Sequence, residues 1–302
     1  MDLKSKIILI AGPTASGKST FAVELAKKIN GEIINADSMQ VYQELKILTA
    51  RPNTKDYKKV KHHLYGFKSV KKKFSTGNWL KLAVEKIKDI QKRKKVPILV
   101  GGTGLYFKAL TDGLVKIPNI PIKIRSKIRN LQKKLGQLNF YKKLIKLDPK
   151  IKDQISNTDV QRSIRAYEVK SYTKKSLVDW FKDTKSYFDN NDFYKIYIDY
   201  PRQQLIERIS IRTNEMLKLG ALNEVKRFLK LKIKKDNSSN KVIGIEEIKD
   251  YLSKKLTLDE IKDKISIKTR QYAKRQSTWA RGQMTDWQKL TPEDLKKFLK
   301  KN

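Results

Sequence analysis

The sequence predicts an α/β protein: a doubly wound parallel sheet interrupted by a helical insertion. Three observations lead there. Short apolar runs alternate with amphipathic charged runs as far as Gly101. A glycine-rich loop joins the first apolar run to the first helical one. Past Leu114 the strand-like runs stop, and they return only at Phe193. Alternation of this kind marks parallel sheets, whose strands are buried on both faces and joined by helices.

Each element follows from its residues. "KIILIAG" (Lys6–Gly12) is a short apolar run ending in glycine, the pattern of a buried strand. "STFAVELAKKIN" follows as a helix closed by Gly31, and "GEIINAD" is a second strand. Lys81–Arg93 is an amphipathic helix, and "VPILVGGTG" is a third apolar strand running into a tight turn. "LVKIPNIPIKIRSKIRNLQKKL" opens with prolines and turns helical, and no strand is predicted from there to Lys185. "FYKIYIDYP" (Phe193–Pro201) alternates like a strand, and long charged helices run to the end, with a break at Lys234–Asn240. The expected organisation is a core built from 1–113 and 193–302, with a helical insertion at 114–192.

"GPTASGKS" comprises Gly12, Pro13, Thr14, Ala15, Ser16, Gly17, Lys18 and Ser19. It fits G-x-x-x-x-G-K-[ST] between a strand and a helix, which makes the expected fold P-loop NTPase-like. The glycines let backbone N–H groups turn inward around phosphate, the helix N-terminus adds partial positive charge, and Lys18 adds a full one. Ser19 is placed to hold Mg²⁺. A phosphate loop recognises linked phosphates and does not by itself mean ATP. Most NTPases also place an acid at the end of a neighbouring apolar strand. Here "PILV" runs into "GGTGLY" with none, which disfavours a motor or switch ATPase. The loop could instead grip the pyrophosphate of a substrate whose carbon end reacts.

Three further constellations carry chemistry. In "NADSMQVYQELKILTARP", Asp37 could cap a local helix with Ser38, bind magnesium, or act as a base at the carboxyl end of the second strand. In "GGTGLY", the glycines permit close backbone approach and Thr103 offers a hydroxyl. The third is basic and helical. Arg162 and Arg165 share one helix face, as do Arg208 and Arg212, and "TRQYAKRQSTWARGQ" interleaves basic groups with Tyr272 and Trp279. Each run alone could equally be a solvated face. His62 and His63, the only histidines, lack the neighbouring acids of a metal site and are expected to pack or hydrogen-bond near the site.

Composition sets the outer limits. With 69 Lys and Arg against 31 Asp and Glu, the formal charge is +38. That fits a polyanionic partner, or a Lys-, Ile- and Asn-rich compositional bias. No cysteine is present, which excludes disulfides, thiolate metal sites and cysteine nucleophiles. The apolar runs are too short to span a bilayer, and the chain opens directly on a strand. A cytoplasmic, monomeric protein without membrane attachment is expected.

"GPTASGKS", "NADSMQVY", "TARP", "HHL", "ILVGGTGLY", "QRSIRAYEV", "RISIRTNEMLKLG", "VIGIEE" and "TRQYAKRQSTW" occur in this order from Ile7 to Arg281. In this the chain resembles the bacterial tRNA dimethylallyltransferases, also called tRNA isopentenyltransferases. The resemblance implies transfer of a dimethylallyl group from dimethylallyl diphosphate to N6 of adenosine 37 in tRNAs reading codons that begin with U. It also implies Mg²⁺ as cofactor and an insertion that grips the anticodon stem-loop. By the same resemblance, Gly12–Ser19, Arg208 and Arg212 would hold the diphosphate, with Ser19 on the metal. Asp37 would be the general base, with Thr103 and Arg208 beside it in catalysis. Asp37, Ser38, Met39, Gln40, Thr103, Arg125, Gln161, Arg162, Ser163, Ile164 and Arg165 would contact tRNA. One departure is "ILTARP" where the family usually has "IGTAKP", which puts Leu48 in place of glycine and Arg51 in place of lysine. The competing readings are a small-molecule kinase using ATP on the same loop, with Asp37 accepting a hydroxyl proton, and an RNA-binding protein that only senses nucleotide.

Overall fold

A computed structural model describes residues 3–301, with the side chains of 54 and 55 excepted; residues 1, 2 and 302 of the expected core lie outside the described residues. The elements in chain order are β1 (Ile7–Ala11), α1 (Lys18–Lys28), β2 (Gly31–Asn35), α2 (Thr54–Lys59), β3 (His62–His63), α3 (Thr76–Lys92), β4 (Val96–Gly101) and α4 (Gly104–Thr111). Then come α5 (Ile122–Leu147), α6 (Val160–Thr173) and α7 (Leu177–Phe181). The chain closes with β5 (Phe193–Ile198), α8 (Arg202–Lys218), α9 (Ala221–Lys230), α10 (Ile245–Leu252), α11 (Leu258–Gln283), β6 (Gln288–Leu290) and α12 (Pro292–Lys301).

The six strands form one parallel sheet in the order β3-β2-β4-β1-β5-β6. Every residue of β1 and β4 is buried, which is why both read as unbroken apolar runs. Ile8 and Ile10 pack in a cluster with Phe21 and Leu25 of α1 and Leu295 of α12. Ile7 and Leu9, of opposite parity, are fully buried too, and α3 lies against β2 and β4. Helices therefore cover both faces, and the fold is the doubly wound α/β sheet that the sequence predicts.

Two strands escaped the sequence. β3 is only "HH" and β6 only "QKL", too short and polar to show alternation. Parallel pairing with β2 and β5 makes them strands. α3 begins at Thr76, five residues before the predicted Lys81, because Ser75 caps it by accepting from the Asn78 N–H.

The backbone divides into two compact units, 1–111 with 188–302 and 112–187. The first holds the sheet. Phe188, expected in the insertion, sets its ring 6.0 Å from Phe193 at the start of β5 and belongs to the first unit. In the second unit, Gly113 lies where a Cβ would stand 2.3 Å from the Lys185 carbonyl oxygen, so the entry and exit strands of chain run side by side. α5 is broken at Gly136, whose φ of 70° and ψ of 168° leave the helical region. Its halves fold onto α6 around Ile128, Phe140 and Ile164.

Candidate active site

Register places the site. Asn35 of β2 is level with Val100 of β4, and Ala11 of β1 with Gly101. Gly12, Asp37 and Thr103 therefore all emerge from one edge, the carboxyl ends of three adjacent strands, where open α/β sheets bind ligands.

The loop after β1 is left-handed at Ala15 (φ 66°) and Gly17 (φ 82°), which turns successive N–H groups inward. Ser16 is buried, and its Oγ has no hydrogen-bond partner. Two arginines of α8, one turn apart, clamp the loop from outside. Arg208 Nε donates to the Ala15 carbonyl at 2.7 Å, and Arg212 Nη2 to Thr14 Oγ1 at 2.8 Å. Lys18 Nζ donates back to the Pro13 carbonyl at 3.0 Å. Burial pushes the Lys18 ammonium down to about 8, partly opposed by Asp37 and reinforced by Arg212. Burial also lowers the Arg212 pKa, again against Asp37 and with Arg208 adding to the fall. These cations repel one another, and the acid acting on both Lys18 and Arg212 is Asp37, an arrangement that an anion would complete.

Asp37 is held on one side only. Its N–H donates to Asn35 Oδ1 at 2.8 Å, while its Oδ1 accepts from the Met39 N–H at 2.8 Å and, more weakly, from Gln40 at 3.4 Å. Among the described residues, Oδ2 accepts no hydrogen bond. Asn35 is itself anchored, donating to the Asp37 and Leu64 carbonyls at 3.0 Å each, and its own carbonyl accepts from Trp79 Nε1 at 2.8 Å. Burial raises the phenol pKa of Tyr65, Tyr106 and Tyr272, and the charge on Asp37 adds to each rise.

Thr103 Oγ1 accepts from the Ser38 N–H at 2.9 Å, tying the β4 and β2 ends together. The glycines around it are required by close approach. A Cβ on Gly101 would stand 2.0 Å from the Ala36 carbonyl oxygen, and one on Gly104 would stand 2.2 Å from the Trp279 ring. An apolar cavity of about 260 Å³ opens here, lined by Gly12, Thr103, Phe107, Tyr197, Trp279 and Met284 among others.

The remaining predicted residues divide. Met39 packs against the apolar cluster of α9–α11, and Gln40 Nε2 donates to the Thr49 and Ala50 carbonyls, so both side chains brace the protein itself. In the second unit Ser163 and Ile164, expected among the tRNA contacts, are buried. A continuous run on a helix cannot face one way, and only Gln161, Arg162 and Arg165 of "QRSIR" are outward or half-exposed. Arg125 of α5 lies 3.5 Å from Glu168, which Arg165 also approaches. The histidines serve the fold. His63 Nε2 is 2.7 Å from the buried Glu32, at the far end of β2 from Asp37, and His62 Nδ1 is 2.7 Å from the Val60 carbonyl.

Sequence reasoning missed Gln276 of α11. Its Oε1 accepts from the Thr14 N–H at 2.8 Å and its Nε2 donates to the Gly102 carbonyl at 2.9 Å, bridging the phosphate loop and the β4 turn. It lies inside "TRQYAKRQSTW", but no local pattern marks it out. Glu224 of α9 was also missed. It is buried, and its carboxylate accepts from the N–H groups of Lys46, Ile47 and Leu48 at 2.8–3.1 Å.

The model of one protein family, IPP transferase, matches residues 40–283. The chain belongs to the IPP transferase family. A relative in this family from Pelagibacter ubique, a tRNA dimethylallyltransferase, is 64% identical over 301 residues, covering 100% of this chain and 96% of its own. The tRNA isopentenylpyrophosphate transferase of Bacillus halodurans has a similar crystal structure, with a TM-score of 0.68 and 33% identity over 98% of this chain and 94% of that one. A eukaryotic dimethylallyltransferase captured acting on tRNA superimposes with a TM-score of 0.83 and 29% identity, over 95% of this chain and 74% of its own. Membership in the IPP transferase family supports an enzyme that transfers a prenyl group and lends nothing to the small-molecule kinase reading.

Proposed function

We propose that this chain transfers the dimethylallyl group of dimethylallyl diphosphate to N6 of adenosine 37 in tRNAs that read codons beginning with U. The products are N6-(dimethylallyl)adenosine and diphosphate. One observation carries the reading: Lys18, Arg208 and Arg212 converge on a phosphate loop whose nearest acid, Asp37, keeps one carboxylate oxygen uncommitted. The cations suit a departing diphosphate, and the free oxygen suits a proton from an amine.

The residues divide the work. The amides of Gly12–Ser19, with Lys18, Arg208 and Arg212, bind the diphosphate and take up the negative charge that grows as the C–O bond breaks. The apolar cavity beside the loop receives the five-carbon chain. N6 forms the new bond to the allylic carbon while Asp37 accepts its proton, and Thr103 keeps the Ser38 edge in place. The adenine leaves its stack to reach this edge, as enzymes that modify bases require. Surface arginines of the second unit, Arg125, Arg162 and Arg165, with Gln161, hold the anticodon stem-loop.

The donor set fits Mg²⁺. This ion takes few protein ligands and completes its shell with water and phosphate oxygens. Ser19, exposed in the first turn of α1, offers the hydroxyl for it. When bound, the ion neutralises part of the leaving group's charge. Among the described residues no helix is long and apolar enough to cross a membrane. The proposed place of action is the cytoplasm, where tRNA is the substrate.

Labelled dimethylallyl diphosphate and unmodified tRNA, with ATP in a parallel reaction, test the proposal. Label should appear on N6 of adenosine 37. Unlabelled tRNA, or phosphate transfer from ATP, would overturn it.

A further inference from the structure

Glu168 of α6 is a buried carboxylate of the second unit, 1% exposed. Three guanidinium groups surround it. Its Oε2 lies 3.5 Å from Arg125 Nε and 3.7 Å from Arg165 Nη1, and its Oε1 lies 3.6 Å from Arg129 Nε. None of these contacts is a tight charge-assisted hydrogen bond, which closes to about 2.7–2.9 Å. Glu168 Oε1 and Arg125 Nε are both buried without any hydrogen-bond partner.

The arrangement is unusual for a purely structural ion pair. A buried carboxylate costs least when one or two donors satisfy it closely. Here one negative charge is shared among three positive ones, leaving an excess of two. Burial lowers the Arg165 pKa, and Arg125 adds to that fall against the pull of Glu168. Like charges this close would spread if free to do so. Backbone geometry prevents it: Arg125 and Arg129 lie one turn apart on α5, Arg165 and Glu168 one turn apart on α6, and the two helices pack on Ile128, Phe140 and Ile164. The three side chains stay 38–43% exposed. Each guanidinium group thus meets Glu168 while much of its side chain remains in solvent.

We propose that Arg125, Arg129 and Arg165 form one binding site for RNA backbone phosphate, aligned by the buried carboxylate of Glu168. Planar guanidinium forks match phosphate oxygens in pairs, which lysine cannot do. Glu168 is a positioning residue, and Arg129 is a binding residue that sequence reading did not single out. The proposal rests on the tRNA reading above and deepens it.

The test titrates unmodified tRNA against the full chain over a salt series, for the wild type, Arg129→Ala, Arg129→Lys and Glu168→Gln. Arg129→Ala should weaken binding about tenfold and flatten the plot of log affinity against log salt by about one unit of slope. Arg129→Lys should keep the slope but not the full affinity. Glu168→Gln gives the sharpest result. It adds net positive charge, so charge alone demands tighter tRNA binding, whereas lost alignment demands weaker binding, with a raised KM for tRNA and an unchanged kcat. Equal or tighter binding by Glu168→Gln, or an unchanged salt slope in Arg129→Ala, would overturn the proposal. If Glu168→Gln does not fold, the Arg129 pair decides. Inorganic phosphate should compete only weakly; competition equal to that of tRNA would point to a free-phosphate site and overturn the RNA assignment. A wild type that binds tRNA but transfers no prenyl group defeats the proposed reaction alone, and one with no affinity for tRNA defeats both.

Discussion

Asp37 uses its two oxygens differently. Oδ1 holds the turn at Met39 and Gln40, the capping role, and Oδ2, which accepts no hydrogen bond among the described residues, is the oxygen proposed above to take the proton. The two roles coexist, which gives paired expectations. Asp37→Asn keeps an oxygen for the turn and loses the base: turnover should fall by about 10²–10⁴-fold with tRNA affinity retained, measured by labelled prenyl transfer and by titration. Asp37→Ala loses the turn as well and should show both defects. Lys18 adds a pH signature. Its pKa, lowered to about 8, means that it is charged below that pH and neutral above. Diphosphate affinity should therefore fall as pH rises from 7 to 9, with proton uptake on binding in the same window. Calorimetry in buffers of different ionisation heat checks this, and Lys18→Ala should abolish the dependence.

Among the elements, the turn after Leu45 is held from a distance. Three of its N–H groups end on Glu224 of α9. The same turn receives Gln40, so α9 is coupled to the Asp37 edge through it. Leu48, where the family usually has glycine, is buried, and its Cδ2 occupies the space that a Cβ on Gly244 would need, 2.7 Å away. Arg51 similarly lies over Gly66 and donates to the Tyr42 carbonyl at 2.9 Å. The departures in "ILTARP" are thus accommodated by glycines elsewhere. Glu224→Gln should lower stability by about 1–3 kcal/mol, the cost of under-satisfied buried groups. Thermal melting measures it, and hydrogen exchange should quicken at Lys46, Ile47 and Leu48; unchanged exchange there would refute the coupling.

For the whole molecule, charge matters at two depths. Glu32, buried on β2, is held well below the usual carboxylate range, chiefly by Arg93 at 2.5 Å and also by His63 and Lys95. A carboxylate with a depressed folded pKa stabilises the fold above its unfolded pKa and loses that contribution as pH falls. Acid unfolding should therefore set in below the ordinary glutamate range, and Glu32→Gln should be the less stable protein at pH 7 with the gap narrowing toward pH 3. The surface charge, formally +38 for the chain, acts differently: it is screened by salt, and the slope of tRNA affinity against salt reports how many phosphates it neutralises.

The sequence by itself determined the class of fold, the phosphate loop and the family motifs. These are carried by local signals: apolar runs long enough to need burial on two faces, and glycines at fixed spacing beside a lysine. It could not decide β3 and β6, since two or three polar residues become strands only when a neighbour offers a pairing edge. Nor could it decide which way each residue of "QRSIR" faces, or that Glu168 gathers three arginines. Gln276 shows the reason most plainly. It stands 262 residues from Thr14, and its bridging role exists only because the sheet brings the β1 and β4 ends together under α11. Chain-local chemistry is legible in order; partnership between distant polar groups is decided by packing, and only the tertiary structure shows it.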